Sequence, residues 1–188
     1  MPDDLRADAR RNIRRVLEAA AHVLADDPAA GMQAIADAAE VSRPTVYRHF
    51  PSREELIEAI RQEAMAQAME TFDAAAASRE PAAAALERLI LDLADIAARY
   101  PLLARLIAIP GGPEKKPPDR LIGAFKALIA RGRRDGTLRP DLRPEILGPA
   151  TMGALFLALR AGGERGADPH DVGAGVASIV LEGARSRG

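Results

Sequence analysis

Residues 31–60 read GMQAIADAAEVSRPTVYRHFPSREELIEAI, and the fold prediction begins from this stretch. Apolar residues recur at helical spacing on both sides of Glu40, which predicts two short helices joined by a tight turn. Ser42 is placed to cap the second of these helices, and Pro44 falls in its first turn, where a missing N–H costs nothing. Pro51 ends the second helix. The stretch therefore predicts a helix, a turn and a helix of nearly equal length.

The residues on either side of this unit also follow helical periodicity. Ser52-Arg53-Glu54-Glu55 has the spacing of a capping box and predicts the start of a longer helix. No segment alternates with the period of a strand, so the predicted class is all-α, with about nine helices. They cover approximately residues 6–25, 32–39, 42–50, 52–77, 81–100, 101–108, 120–135, 144–161 and 169–185, and the Pro/Gly-rich segment 109–119 is predicted as a loop.

Composition narrows the classes of function. The chain has 188 residues, of which 40 are alanine and 6 are aromatic, and it has no cysteine. Alanine favours helices, and the lack of cysteine excludes disulfides, zinc–thiolate sites and thiol nucleophiles. No secretory signal and no apolar run long enough to span a membrane is seen, so we expect a cytoplasmic protein without a membrane partner. The net charge of −1 does not by itself suggest a polyanionic partner.

The distribution of charge is more informative than its sum. Residues 41–53 contain three arginines and one histidine but no acidic residue. The helix–turn–helix dimensions of residues 32–50 are those of a motif that places its second helix in the major groove of DNA. Arginine can donate two hydrogen bonds to guanine, and hydroxyl or imidazole groups can donate to phosphate. The predicted DNA-binding residues are Ser42, Arg43, Pro44, Thr45, Tyr47, Arg48, His49 and Arg53, with Arg43 and Arg48 as the candidates for base reading and Pro44 and Thr45 as further base contacts.

The run IADAAEVSRPTVYRHFPSREELIEAI, at residues 35–60, resembles the N-terminal DNA-binding domain of the tetracycline-repressor (TetR) family of transcriptional regulators. The segment DGTLRPDL, at 135–142, is similar to the turn after the seventh helix of that family. The resemblance implies a helix-turn-helix domain over residues 1–55 and a helical ligand-binding and dimerisation domain over 56–188. It also implies a homodimer held by the last two helices, and an effector pocket within helices four to seven.

Two positions depart from the family pattern. Gly31 stands where the family usually has Thr or Ser, which removes a hydroxyl that could contact phosphate. Glu40 stands at the turn position where the family usually has Gly. A non-glycine residue in a left-handed turn costs about 1 kcal/mol, and a carboxylate near DNA repels phosphate. We therefore expect both departures to weaken DNA binding without removing the motif.

The remaining helices supply two further sets of candidates. Apolar and methionine side chains on the fourth to seventh helices can together line an adaptable pocket for an apolar or amphipathic effector, although for each residue taken singly ordinary core is the better interpretation. The helix at 144–161 is apolar nearly all round, so it must be buried on more than one side. The predicted pocket residues are Met65, Met69, Phe72, Leu89, Leu93, Ile96, Tyr100, Leu103 and Phe125; the predicted dimer contacts are Leu155, Leu159, Val172, Val176, Ile179 and Val180.

Enzymatic and metal-dependent functions find little support in the pattern. Asp92 and Asp95 lie off the apolar face of their helix, and Asp95 has ion-pair spacing to Arg99. The three histidines lack paired ligand spacing, so no metal and no cofactor is predicted. The sequence predicts a non-enzymatic, ligand-responsive regulator, with a repressor favoured over an activator, that binds a double-stranded, pseudo-palindromic operator as a dimer. Two alternatives stay open: a helical small-molecule-binding or catalytic bundle with a vestigial motif, and a regulator whose filled core takes no effector.

Overall fold

A computed structural model describes residues 2–102, 119–163 and 165–185 of the chain. These residues form helices and no strand longer than an isolated bridge, which confirms the predicted all-α class. The short helix predicted over residues 101–108 lies, from residue 103 onward, outside the described residues. The eight helices within the described ranges are α1 (Pro2–Asp26), α2 (Met32–Ala38), α3 (Arg43–His49), α4 (Arg53–Ala77), α5 (Ala82–Arg99), α6 (Asp119–Asp135), α7 (Pro144–Gly163) and α8 (Pro169–Ala184).

The chain divides into two compact units. The first consists of residues 1–66 with 99–106, and the second of residues 67–98 with 107–188. Helix α4 therefore contributes its N-terminal part to the first unit and its C-terminal part to the second. The predicted domain boundary after residue 55 stays a prediction.

The core of the first unit is built from the apolar faces of α1 to α4. Each of these side chains is almost completely removed from water, and burial of one valine, leucine, isoleucine or phenylalanine side chain stabilises the fold by about 1.5–3 kcal/mol. The α1 face follows the i, i+3, i+4, i+7 spacing expected from the sequence. The core includes Val16, Leu17, Ala20 and Leu24 of α1, Ile35 and Ala36 of α2, Val46 of α3 and Leu56 and Ile60 of α4, with Phe50 between α3 and α4.

The turn between α2 and α3 depends on a left-handed residue. Glu40 has φ 54°, in the region that ordinarily favours glycine. The N–H of Glu40 donates to the carbonyl of Asp37, and the N–H of Val41 donates to the carbonyl of Ala36. This is the hydrogen-bond pattern of a Schellman motif, which satisfies the last carbonyls of α2. The expected position of Glu40 in a left-handed turn is confirmed.

Side-chain caps fix the starts of α3 and α4. The Ser42 hydroxyl accepts a hydrogen bond from the Thr45 N–H at 3.4 Å, and the Ser52 hydroxyl accepts one from the Glu55 N–H at 3.1 Å. Each cap satisfies one of the free donors at a helix N-terminus. The two serines predicted as caps therefore have that role, and they set where the short α3 begins and where α4 follows it.

The second unit packs aromatic and small residues against each other. The rings of Phe72 in α4 and Phe125 in α6 lie 5.6 Å apart in a tilted arrangement. A Cβ added to Gly148 of α7 would lie 3.0 Å from the Phe125 ring, and one added to Gly173 of α8 would lie 2.6 Å from the Cβ of Ala94 in α5. The absence of a side chain at Gly148 therefore permits close approach of α7 to α6, and its absence at Gly173 permits close approach of α8 to α5.

Polar groups at the end of α6 hold the turn between α4 and α5. The guanidinium of Arg131 donates hydrogen bonds to the backbone carbonyls of Ala75, Ala76 and Ser78, at the C-terminus of α4. One turn later, Asp135 accepts a hydrogen bond from the N–H of Ala82 at 2.8 Å, at the start of α5. A cation at a helix C-terminus and a carboxylate at a helix N-terminus both complement the helix dipole. We call this pair, Arg131 and Asp135, the α6 clamp.

Helix α7 is long and apolar enough to cross a membrane if only length and composition are considered. The same composition is found in core helices of helical domains. In the second unit, one face of α7 is buried and contains a fully buried polar residue, Thr151. The buried residues of this face are Leu147, Gly148, Thr151, Leu155 and Leu159.

Candidate nucleic-acid interface

Helix α3 presents a polar and basic surface on the side opposite its core contact. Val46 is fully buried, whereas Arg43, Arg48 and His49 are exposed and Tyr47 is 39% exposed. Val46 is the one residue of α3 that is buried, and the buried Phe50 closes the end of the helix. Most of the remaining side chains are consequently free to meet a partner.

The hydroxyl groups at the start of α3 are engaged with each other. Ser42 Oγ and Thr45 Oγ1 lie 2.8 Å apart, in addition to the bond from the Thr45 N–H to Ser42. Pro44 lies between them and is exposed. A hydroxyl has one donor and two acceptor lone pairs, so one of the two can still donate outward. The start of α3 thus combines a fixed backbone with an apolar ring and an available hydroxyl.

Arg43 and Tyr47 contact each other along the exposed face of α3. The guanidinium carbon of Arg43 lies 5.2 Å from the centroid of the Tyr47 ring, within the range of a cation–π interaction. Arg43 Nη2 also lies 3.4 Å from the Tyr47 hydroxyl oxygen, to which it donates. The spacing of four residues places both side chains on one side of the helix. The two side chains are therefore in contact in the absence of a partner.

Arg53 has a structural role that the sequence did not indicate. Its Nη2 donates to the backbone carbonyl of Pro28 at 2.5 Å, which connects the start of α4 to the turn after α1. Arg53 was predicted to reach the DNA backbone. In the structure one donor of its guanidinium is used within the first unit, and the residue as a whole is half-buried.

The electrostatic surroundings of α3 change sign at both ends. Residues 41–53 contain no carboxylate. Glu40 precedes them and makes an exposed contact of 3.5 Å with Arg15, and Glu54 and Glu55 follow them at the start of α4. An exposed pair of this kind contributes between 0 and 1 kcal/mol. The positive surface is therefore local, and acidic groups limit it on both sides.

The residues predicted to line an effector pocket are mostly buried. Phe72 and Phe125 contact each other, Met65 is 41% exposed and Met69 is half-buried, and Leu103 lies outside the described residues. A cavity in the second unit that includes Leu89 in its lining has a volume of about 50 Å³, enough for a water molecule or two. The predicted pocket residues Phe72, Leu89, Leu93, Ile96, Tyr100 and Phe125 are buried.

The residues predicted as dimer contacts divide into two groups. Leu155, Leu159 and Val176 are buried within the chain, because they face the core of the second unit. Ile179 is 73% exposed, and Val172 and Val180 are half-buried. Helical periodicity shows that α7 is apolar on all sides but does not reveal which apolar residues the chain itself covers. The exposed positions on α7 include Ile146 and Leu157, at 62% and 67% exposure, which the sequence analysis did not select.

Sequence reasoning also missed several polar residues of the second unit. Arg131 makes the α6 clamp, and the hydroxyl of Thr151 is fully buried without a hydrogen-bond partner. His170 lies 3.2 Å from Asp95, where an exposed contact joins α8 to α5. Thr151 gives no signal in the sequence beyond being a polar residue in an apolar helix. Arg131 follows an apolar run, as ordinary surface residues also do.

No group of three or more potential metal ligands occurs within the described part of the chain. The first unit of the protein contains the capped short helix α3, which has an exposed basic face. A tight turn joins α3 to the preceding helix, α2. These features are those of a helix-turn-helix motif. Residues 16–60 match the profile of the bacterial regulatory proteins of the tetR family. This part of the chain is thus similar in sequence to the TetR family, and the described remainder resembles solved TetR regulators in fold.

Individual relatives show the same similarity. The chain is 38% identical over 96 residues to the HTH-type transcriptional repressor LfrR of Mycolicibacterium smegmatis (strain ATCC 700084 / mc(2)155), and the match covers 49% of this chain and 51% of LfrR. The matched part of the chain thus spans about half the length of LfrR. The crystal structure of a TetR regulatory protein from Mycobacterium vanbaalenii is 29% identical with a TM-score of 0.63, covering 96% of this chain and 99% of that one. The crystal structure of LfrR from Mycobacterium smegmatis in complex with proflavine is 24% identical with a TM-score of 0.61, covering 93% and 97%, and supports the fold.

Proposed function

We propose that this protein is a cytoplasmic, ligand-responsive transcriptional repressor that binds a short pseudo-palindromic operator as a homodimer. The observation that carries the proposal is the exposed basic face of α3, on a helix that is capped, held by its neighbours and free of acidic residues. A surface of this kind favours a polyanion, and a short helix fits the major groove. Repression, rather than activation, is the function of the relative LfrR.

The proposed DNA contacts divide by chemistry. Arg43 and Arg48 can each donate two hydrogen bonds to the O6 and N7 atoms of guanine, and this donation reads sequence. Pro44 can contact a thymine methyl group, and Thr45 can contribute a polar or apolar base contact. Ser42, Tyr47, His49 and the remaining donors of Arg53 can contact phosphate oxygens, which position the protein without reading sequence.

Binding to DNA is tested with duplexes selected by this protein from a random pool. The dissociation constants for a selected duplex and for its scrambled version are measured by fluorescence anisotropy over a range of salt concentrations. We expect nanomolar-range binding to the selected duplex, with affinity falling linearly on a log–log plot as salt rises, because phosphate contacts release counterions. Failure to enrich any sequence, with no salt-dependent binding, would favour the alternative of a vestigial motif in a helical bundle.

The homodimer is supported by the surface of the last two helices. Leu157 of α7 and Ile179 of α8 are largely exposed, and exposed apolar patches on soluble proteins mark interfaces. A Cβ added to Gly153 or Gly175 would meet nothing within 4 Å, so the packing of a single chain does not explain these two glycines. A second copy of the chain that approaches along α7 and α8 would use their small size. Two-fold symmetry of the dimer would then match the symmetry of the operator.

The proposed effector is a small apolar or amphipathic molecule held near Met69 and Phe72 of α4. Methionine side chains adapt to ligands of different shape, and α4 begins directly after the recognition helix. An effector need only favour the released state by about 1–3 kcal/mol to change operator affinity 5–150-fold. Proflavine, a planar amphipathic cation bound in the LfrR crystal structure, serves as the probe.

The effector proposal is tested by calorimetric titration of proflavine into the protein, alone and with the selected duplex. Coupling requires that the duplex weaken proflavine binding by the same factor by which proflavine weakens duplex binding. Equal affinity for proflavine in both titrations would mean that the site holding it does not control DNA binding. Absence of binding for proflavine and for a panel of amphipathic compounds would favour a regulator whose filled core takes no effector.

A further inference from the structure

Arg43 and Tyr47 form a side-chain contact between two exposed residues whose proposed DNA roles differ in kind. One was assigned to base reading and the other to phosphate contact. In the structure the guanidinium lies over the aromatic ring, 5.2 Å from its centroid, and donates to the phenolic oxygen at 3.4 Å. No carboxylate occurs in residues 41–53 to compete for the guanidinium. The described side-chain contacts of Arg43 are thus those with the ring and the hydroxyl of Tyr47.

The direction of the hydrogen bond leaves both groups able to contact DNA. The Tyr47 oxygen accepts from Arg43, so its own proton points elsewhere and can be donated to a phosphate oxygen. The guanidinium has five N–H donors, and the one directed at Tyr47 leaves the others for a guanine edge. The two contacts are thus compatible, and the pair can bind one base and one phosphate as a unit.

Holding the Arg43 side chain in one conformation affects the selectivity for DNA sequence as well as the affinity for DNA. Arginine loses much rotamer freedom when it is fixed on binding, and a side chain that is already held loses less. A bidentate base contact also depends on the plane of the guanidinium, which the ring fixes by stacking. A flexible arginine can instead find phosphate oxygens on any sequence. Loss of the ring is therefore expected to reduce sequence selectivity more than it reduces binding to DNA in general.

We propose that Tyr47 is a specificity-determining residue of the recognition helix, acting as a positioning residue that presents Arg43 to the base edge. The ring has this role, whereas the hydroxyl contributes a phosphate contact that is independent of sequence. The proposal rests on the proposed DNA-binding function and adds to it a coupling between two residues on one face of α3.

The test measures selectivity, defined as the ratio of the dissociation constants for scrambled and selected duplexes. Tyr47→Phe keeps the ring, so selectivity should stay within about twofold of the wild type while both duplexes bind more weakly. Tyr47→Leu removes the ring, so selectivity should fall at least about fivefold, toward the value of Arg43→Ala, which lies in the 5–150-fold range for loss of a bidentate contact. The double variant that combines Arg43→Ala with Tyr47→Leu should lose no more selectivity than Arg43→Ala alone. Arg48→Ala combined with Tyr47→Leu is the matched control, for which losses should add.

A spectroscopic measurement on the free protein keeps the proposal falsifiable if affinity is lost for other reasons. The Arg43 side-chain protons should show a ring-current upfield shift in NMR spectra of the wild type and of Tyr47→Phe, and this shift should vanish in Tyr47→Leu. Unchanged selectivity in Tyr47→Leu, or no ring-current shift in the wild type, would overturn the positioning role. A wild-type protein that selects no duplex would refute the proposed function instead, and the NMR result would then stand as a separate finding.

Discussion

Glu40 is a single side chain that affects both the stability of the protein and its proposed interaction with DNA. It adopts φ 54° and carries a carboxylate next to the basic surface of α3. A left-handed conformation costs a non-glycine residue about 1–2 kcal/mol, and replacing that residue by glycine removes this strain. Part of the stability gained is lost again, because glycine has more conformational entropy in the unfolded state. The exposed contact of Glu40 with Arg15 offsets little of the cost.

Glu40→Gly is therefore expected to raise the free energy of unfolding by roughly 0.5–1 kcal/mol and to strengthen DNA binding. Urea unfolding and duplex titration measure the two effects. Glu40→Gln separates them, because it removes the charge but keeps the backbone strain: it should strengthen DNA binding without stabilising the fold. A Glu40→Gly protein that is less stable than the wild type would contradict the assignment of strain to this turn.

The side chains near α3 also show how far sequence reasoning reaches. Val46 was correctly separated from Arg43 and Arg48, because a helical period of 3.6 residues divides inner from outer positions. The period carries no information on partners distant in sequence. The bond from Arg53 to the Pro28 carbonyl joins residues 25 positions apart, and it exists only because the turn after α1 lies beside the start of α4. Contacts of this kind could not be predicted.

Helix ends are the elements whose chemistry is easiest to test by changing pH. Burial acts to raise the pKa of Asp135, but hydrogen bonds from the Thr137 hydroxyl and from the N–H groups of Ala82 and Thr137, together with the charge of Arg131, hold this pKa below the ordinary value of 3.8. A carboxyl group with a lowered folded pKa stabilises the protein fully above its unfolded pKa. This contribution is lost as the pH falls through the lower, folded pKa.

Asp135→Asn should accordingly lower the free energy of unfolding near neutral pH, and the difference from the wild type should shrink below about pH 4. Urea unfolding at a series of pH values measures this difference. Glu70→Gln, an exposed change in the middle of α4, is the control and should alter stability little. A difference for Asp135→Asn that grows on acidification would contradict the role given to this carboxylate.

Among the helices, α7 shows the limit of periodicity as a guide. Its apolar residues predicted burial on more than one side, and the structure buries one face within the chain while Leu157 stays exposed. An apolar residue on an all-round apolar helix can face the chain's own core or another surface, and the sequence pattern is the same in both cases. The predicted dimer contacts Leu155 and Leu159 were selected for that pattern and turn out to face the core of the second unit.

The oligomeric state of the protein depends on what covers the exposed residues of α7 and α8. Leu157→Lys and Ile179→Lys place a charge on the proposed dimer surface, so each should shift the protein from dimer to monomer at micromolar concentration, as measured by light scattering. Ala174→Lys is the matched control, because Ala174 is exposed on a different side of α8, in the groove lined by Leu91 of α5. A dimer that survives both substitutions would place the interface elsewhere.

The α6 clamp has a consequence for how parts of the second unit open and close. The last carbonyls of α4 are held by Arg131, and the first N–H of α5 is held by Asp135. Opening of either segment breaks bonds to adjacent turns of α6, so we expect the fluctuations of the two segments to be coupled. They should behave as one cooperative unit with a common rate of exchange.

In deuterium-exchange mass spectrometry, Arg131→Met should accelerate exchange in peptides covering residues 72–80, since the C-terminus of α4 then frays on its own. Arg134→Met removes a neighbouring exposed arginine with no described bond to α4 and should leave those peptides unchanged. Slow exchange that persists in Arg131→Met would show that apolar packing alone closes this end of α4. With the clamp intact, the last turn of α4 is protected for as long as α6 itself stays folded.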